Sequence, residues 1–392
     1  MSPPTVLVLG ASFVGIAAAH RLLRLLPAEY RVVLVSPSDH LYWNMAVPRA
    51  LVKNNQFLGG ADNSAALFHP ILPGFAAHAA NRFEFVLGTA TGLDPAANTA
   101  AVATAAGPQS IAYTHVIIAT GGRAHDDWPF KALASRAATE AALSSANARI
   151  AAAERIVLSG SGPTGVETAG EIATLWKGAG KSVVLLDAAD GPLPMLPPHV
   201  RAEARRQLQR LGVEVRSNMR VVKSSPTDSG GVQLELSNGD TLAADLHIPT
   251  RGLVPNTSFV PAALLDDAGF VRVSGRMRSL EVENVWSAGD AAAVHVKTLM
   301  AVGPMIDALV ASLVAAVRAG DGKAERIKEH ANPESAAAML VPVGGGFAAG
   351  TGILFGWKPW GLLIWLLKGR SFFISNATKV ALGQALPAGG KP

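Results

Sequence analysis

Apolar and polar positions along the chain fall into two alternating patterns. Short runs with few polar residues, at positions 5–9, 31–35, 113–119, 156–158, 183–186, 245–250 and 285–288, mark strands of a parallel sheet covered on both faces. Between them lie stretches of helical spacing rich in small residues. Residues 16–26 carry Ala17, Ala18 and Ala19 where a helix must approach a sheet closely, and Pro27 ends them; residues 298–318 form a longer apolar helix. A different pattern occurs at 83–93 and 99–104, where strand formers flank Asp94-Pro95-Ala96-Ala97-Asn98, and around Gly230-Gly231 between 221 and 236. Both read as β-hairpins. The succession strand, helix, strand occurs twice, which predicts an α/β chain with two doubly wound units.

In each unit a glycine turn joins strand to helix. Residues 155–171 read RIVLSGSGPTGVETAGE: an apolar run meets Gly160-x-Gly162-x-x-Gly165, with Pro163 and Thr164 between the glycines, and a helix of small residues follows. Glycine there permits a tight turn and close approach of the backbone to a pyrophosphate, whose charge is held by free N–H groups and the positive end of the helix. Roughly twenty residues on, the next apolar run ends in Asp187, the acid expected on a ribose 2′-OH. The first turn, Gly10-Ala11-Ser12-Phe13-Val14-Gly15, is a degenerate copy in which Ser12 replaces the middle glycine and fits if its φ stays negative. The strand after it ends in Ser36, which reads either as a donor to a ribose hydroxyl or as a loop residue. A nucleophile elbow requires G-x-S-x-G, and the spacing at Ser12 is G-x-S-x-x-G. Further strands end at Ala119-Thr120-Gly121, Thr250-Arg251-Gly252 and Gly289-Asp290, the kind of strand end beside which doubly wound sheets hold ligands.

Composition then removes several classes. With 392 residues, 49% of them apolar, the chain can build two or three cores. It has no cysteine, which excludes structural disulfides, redox-active cysteine pairs, thiol nucleophiles and cysteine-ligated metal or iron–sulfur sites. The ten histidines are dispersed without H-E-x-x-H spacing, so no metal site is expected. The formal charge is +5, but the densest basic group, Arg201, Arg205, Arg206 and Arg210, alternates with Leu208 and Leu211 and reads as a solvated helix face, not a nucleic-acid patch. The N-terminus has no basic n-region and enters a strand almost at once, and Ser2 is not the glycine that N-myristoylation requires. Neither a signal peptide nor a transmembrane helix is expected, and the expected location is intracellular, in the cytoplasm or peripheral on a membrane surface.

With its glycine turn, Ala119-Thr120-Gly121, second glycine turn and Gly289-Asp290 in that order, the chain resembles the two-dinucleotide flavoprotein reductases of glutathione-reductase-like fold. The resemblance implies two Rossmann-like domains, an NADH domain (125–247) inserted into an FAD domain (1–124 and 248–330), and a small C-terminal segment (331–392). It implies FAD at Gly10, Ala11, Ser12, Phe13 and Gly15, with Ser36, Arg49, Ala90 at the adenine, Ala119, Thr120, Gly121, Gly289 and Asp290 around it. The helix start at Lys297 and Thr298 would aim its positive end at the flavin ring. NADH, with NADPH as the alternative, is implied at Gly160, Gly162, Pro163, Thr164, Gly165, Asp187 and Gly252. Without cysteine, the chain looks like the branch that passes electrons straight from flavin to acceptor. The Ser36-Pro37-Ser38-Asp39-His40 run, the Val166-Glu167 pair and residues 362–375 (LLIWLLKGRSFFIS) resemble the apoptosis-inducing-factor-like, ferroptosis-suppressor-type NAD(P)H:quinone reductases. In that resemblance Lys368 matches a functionally important lysine.

Residues 355–373 combine Trp357, Trp360 and Trp365 with five Leu and Ile, flanked by Lys358, Lys368 and Arg370. The longest apolar run there, 361–367, falls far short of the roughly 20 residues that span a bilayer. The segment therefore reads either as an interfacial membrane contact or as an element buried on the body or in a homodimer interface. The expected function is transfer of electrons from NADH through flavin to a quinone-like small molecule, with Glu167 and Lys368 as the catalytic candidates. An oxygen-using biosynthetic flavoenzyme and a non-enzymatic redox sensor are the rival readings.

Overall fold

A computed structural model describes residues 3–52, 65–228, 230–318 and 327–386 of the chain. Ser2, read above against myristoylation, lies outside the described residues, as do 319–326 of the predicted second FAD segment and 387–392 of the C-terminal segment.

The first sheet is built on Thr5–Leu9, which pairs in parallel with Arg31–Ser36 on one side and His115–Ile118 on the other. Val285–Ser287 extends the sheet beyond His115–Ile118, and Phe83–Asp94 beyond Arg31–Ser36. The unbroken apolar run at 5–9 has a direct cause: Val6 and Val8 enter one core cluster while Leu7 and Leu9 enter another on the opposite face. Phe83–Asp94 then turns back through Thr99–Thr104 and Gly107–Ala112, so the first predicted hairpin grows into three antiparallel strands.

The second sheet has four parallel strands in the order Glu214–Arg216, Ser182–Leu186, Arg155–Ser159, Leu246–Pro249. The predicted domain boundary at 247 cuts through the last of these. Ile248 and Pro249 pair with Leu158 and Ser159, so the NADH-type unit runs on to Pro249. Three antiparallel strands, Val221–Pro226, Val232–Leu236 and Thr241–Ala244, are attached to it and include the turn at Gly230-Gly231. The helix Pro198–Arg210 buries Val200, Ala204 and Leu208 and leaves Arg206 and Arg210 exposed. A helix at Arg136–Ala152 has little apolar periodicity; its one sequence signal is Ser135, whose hydroxyl accepts from the Ala138 N–H at 3.1 Å.

The helix Leu299–Arg318 is long and apolar enough to cross a membrane by length and composition. Its apolar side is turned to the core, where Met305, Ile306, Leu309 and Leu313 are at most 1% exposed. The C-terminal segment starts with a hairpin, Ala338–Val341 and Thr351–Leu354, closed by the glycine-rich run 344–350. A helical turn Gly361–Ile364 then widens into the π-helical turn Trp365–Gly369, and Ala377–Ala381 ends the described chain's regular structure.

Candidate active site

Both glycine turns have the same construction. Gly10 and Gly160 adopt φ of +106° and +112°, and their N–H groups donate to Val35 O at 2.8 Å and Leu186 O at 3.0 Å. A Cβ on Gly15 would lie 1.8 Å from Gly10 O, and one on Gly165 only 1.9 Å from Gly160 O. No side chain fits there. At Gly162, by contrast, a Cβ would meet nothing within 4 Å, which leaves the space that close approach of a pyrophosphate needs. The helix Pro163–Leu175 begins at this point with no side-chain cap on its first N–H groups, an anion site by charge and donors alike. Ser12 keeps negative φ, −120°, and caps nothing with its hydroxyl, so the serine copy of the turn has adopted the conformation that its sequence requires.

Two of the distant strand ends, Ala119-Thr120-Gly121 and Gly289-Asp290, converge on the first turn. A Cβ on Gly10 would strike Ala119 O at 2.4 Å, and one on Gly289 would meet Val14 at 2.8 Å, so both backbones are in contact with the turn region. Thr120 donates to Asn256 O at 2.7 Å and accepts from the Asn256 amide at 3.1 Å through its carbonyl, while Gly121 faces open space. Around the second turn, Thr250 donates to Gly160 O at 2.7 Å and fastens the turn to the neighbouring strand. Asp187 is 1% exposed; its Oδ1 accepts from Ser161 Oγ at 2.5 Å and Ala189 N at 3.0 Å, and its Oδ2 has no partner. A buried carboxylate oxygen in that position fits a ribose hydroxyl donor. Thr298 Oγ1, also without a partner, fits a polar edge of a ring bound against the start of Leu299–Arg318.

A cavity of about 370 Å³ lies between the two turns. It unites Phe13, Asp290, Lys297 and Thr298 from the first unit, Pro163, Thr164 and Glu167 from the second, Gly252 just past the second unit's last strand, and Lys368 and Phe373 from the C-terminal segment. Glu167 and Lys368, 201 residues apart, meet as a buried ion pair at 2.6 Å, and the Lys368 ammonium also donates to Leu340 O at 3.0 Å. Burial pushes the Glu167 carboxyl above its ordinary value, against the pull of Lys368. Burial also lowers Lys297, opposed by Asp290 and Asp266. Asp290 is paired with Lys131 at 2.8 Å.

Arg49, Ala90 and Ser36, predicted around FAD, do not line this cavity, although Ser36 directly follows Val35, whose carbonyl holds the Gly10 N–H. Arg49 is fully buried and does not reach the cavity: its guanidinium bonds Glu171 and the carbonyls of Gly369 and Arg370 because a buried cation that cannot lose its proton must be fully partnered. Ala90 lies three residues past Leu87, the register partner of Ser36, and its methyl packs on the second core cluster. Ser36 accepts from its own loop at Ser38 N, 3.3 Å away. Sequence reasoning missed His125, Phe130, Lys131 and Met339 on the cavity wall and Thr250 behind the turn. Thr250 lay within a noted strand-to-glycine pattern, whereas Lys131 carries no local signal.

Two Rossmann-type units that share one cavity define a two-dinucleotide oxidoreductase. The chain belongs to the pyridine nucleotide-disulphide oxidoreductase family, which it matches over residues 4–320. Its cofactors are FAD and NAD(P)H, and the fit of both turns agrees with that pair. The disulphide chemistry in the family's description is not open to a chain without cysteine. The chain is 37% identical to oxidoreductase ptaL of Pestalotiopsis fici, over 73% of this chain and 76% of ptaL. It is 26% identical to human ferroptosis suppressor protein 1, over 95% of each. It is 30% identical to the type II NADH:quinone oxidoreductase Ndh of Mycobacterium tuberculosis, over 56% of this chain and 51% of Ndh. The water-forming NADH oxidase of Lactobacillus brevis, solved with NADH, shares the fold with a TM-score of 0.67 over 89% of this chain and 74% of that one, at 16% identity.

Proposed function

We propose that this oxidoreductase takes electrons from NADH and delivers them to a quinone-like small molecule, with Glu167 and Lys368 as the reactive pair. The observation that carries the reading is the cavity, whose wall is mainly apolar (Phe13, Met45, Phe130, Leu299, Met339, Phe373) yet ends on the Glu167–Lys368 ion pair between the two dinucleotide turns. A flavin held by the Gly10–Gly15 turn and the Thr298 helix start would supply the redox chemistry, taking a hydride from the nicotinamide and passing two electrons on. The balance is NADH, one proton and quinone to NAD⁺ and hydroquinone; the extra proton comes from solution. Glu167, in the first turns of the Pro163–Leu175 helix, orients the nicotinamide, and the Lys368 ammonium faces the charge that develops on the acceptor oxygens.

Two features support the finer points. NADH is favoured over NADPH because the unpaired Asp187 oxygen accepts from a 2′-OH and repels a 2′-phosphate, while Arg201 is neutralised by Asp190 and Arg205 is bound to Ser217 and the Asp190 carbonyl. The C-terminal segment leaves Phe355, Trp357, Trp360, Leu366 and Leu367 between 43% and 76% exposed, with the Trp357 and Trp360 rings in contact and Lys358 next to Trp357 in sequence, so the segment turns an apolar outer side to its surroundings. Such a face suits the interface of a membrane from which a lipid-soluble quinone is drawn. The kinship to Ndh, named for NADH and quinone, points the same way.

Stopped-flow reoxidation of the NADH-reduced protein tests the proposal. Rapid reoxidation by a short-chain quinone, with slow reoxidation in air-saturated buffer, is expected. Rapid reaction with oxygen and none with quinone would replace it with the oxygen-using biosynthetic flavoenzyme.

A further inference from the structure

Glu167 and Glu171 lie one helical turn apart on the same face of Pro163–Leu175, are 4% and 1% exposed, and each holds a cation from a different part of the chain. Lys368 reaches Glu167 from the C-terminal segment; Arg49 reaches Glu171 from the short helix Val47–Ala50 of the first unit, at 2.7 and 3.1 Å. The remaining Arg49 contacts set it apart from an ordinary buried ion pair. Nη1 donates to Gly369 O at 2.7 Å and Arg370 O at 3.3 Å, the two residues that follow Lys368, and the guanidinium lies 4.7 Å over the Phe372 ring.

The backbone held in this way is one that would not hold itself. Lys368 sits in the π-helical turn Trp365–Gly369, and Phe372 and Phe373 just beyond adopt φ of +47° and +58°. Bulky residues rarely enter that region, and such backbone persists where its surroundings over-determine it. Trp43, six residues before Arg49 in sequence, adds a bond from Nε1 to Phe372 O at 2.8 Å. A lysine on a flexible four-carbon stem keeps one geometry only if its own backbone is fixed.

We infer that Arg49 is a positioning residue: by clamping the Gly369 and Arg370 carbonyls to Glu171, it sets the Lys368 ammonium against Glu167 in the cavity. This rests on the proposed function, in which that pair faces the reacting groups. Arg49 acts through Lys368, so its effect must vanish when Lys368 is gone.

The test is a double-mutant cycle on purified, FAD-loaded protein, with Arg49→Lys and Arg49→Met made in the wild-type and Lys368→Met backgrounds. Arg49→Lys keeps the charge beside Glu171 but loses the fork. The rate at which quinone reoxidises the NADH-reduced flavin should fall at least tenfold in either Arg49 variant and change less than twofold when Lys368→Met is already present. In parallel, acetylation of Lys368 followed by mass spectrometry should quicken at least tenfold in Arg49→Lys, while exposed Lys379 reacts as before. If Arg49→Met fails to fold, Arg49→Lys is read by the same criteria. Equal losses in both backgrounds, or unchanged Lys368 acetylation, would overturn the inference and make Arg49 a structural pair only. Should Lys368→Met alone leave the rate intact, the proposed role of the pair falls, and the inference falls with it; the additive outcome removes only the inference.

Discussion

At the scale of single residues, Glu167 illustrates how far a motif can be read and where it stops. Its position two residues past the third glycine was visible, and so was Lys368 as a separate feature; their meeting across 201 residues has no periodicity or spacing to announce it. Ion pairs of this kind are fixed by tertiary packing. Losing one partner of a buried pair costs about 3–5 kcal/mol because the other is stranded. Glu167→Gln combined with Lys368→Met avoids a stranded charge, so this double variant should keep FAD and melt near the wild type while reducing flavin with NADH roughly a hundredfold more slowly, the scale of a lost positioning contact. An unchanged stopped-flow rate would return Glu167 to a plain helix carboxylate. Gly165→Ala forces a Cβ toward Gly160 O and should abolish NADH binding, measured by calorimetric titration, in protein that is still yellow. For Asp187→Ala, the expected result is a loss of preference for NADH over NADPH in kcat/KM; equal use of both nucleotides before the change would remove the residue from that role.

At the scale of elements, the parallel strands and both glycine turns were legible because a strand covered on both faces has no choice but to be apolar, and a turn of this shape no choice but glycine. Other elements were not. The buried stripe of Arg136–Ala152 includes polar Thr139 and Asn147 beside Leu143, Ala146 and Ile150 and so gives a weak apolar period, and Val47–Ala50 is too short to show one. For the C-terminal segment the sequence left two readings open; the buried one describes its inner side, and the membrane one is a proposal for its outer side. Phe372, fully buried and contributing about 1.5–3 kcal/mol by burial, belongs to the body; Trp360 and Phe355, 75% and 76% exposed, form the outer face. Removing the segment before Thr351 would thus strip the core and release FAD. Substitution on the outer face is the cleaner probe: Trp360→Ser with Leu366→Ser should lose co-sedimentation with liposomes. Retained binding would mean that this face does not meet the membrane.

For the whole molecule, acid should be destabilising through its histidines. His20, stacked on Phe75, and His247, bonded to Ser159 at 2.8 Å, are each lowered to about 4, chiefly by burial. An unfolded histidine takes its proton near 6.5, so between about 6.5 and 4 the unfolded chain binds more protons, and stability falls as pH drops through that window. Glu167 and Glu171, raised by burial, have the opposite slope. Comparison with His247→Gln separates the two: Tm should decline from pH 7 to pH 5 in the wild type and decline less in the variant. Identical slopes would show that His247 is not held neutral by the fold.

The C-terminal segment touches both dinucleotide units. Gln207 exchanges bonds with both the N–H and the C=O of Gly350, Trp43 reaches Phe372, and Arg49 joins Glu171 across the same seam. Two Rossmann units joined only by linkers would take up heat as separate bodies, the weaker melting first. Here neither can come apart without dismantling the strap that the other also needs, so calorimetry should record one sharp endotherm, with a van't Hoff enthalpy close to the calorimetric one.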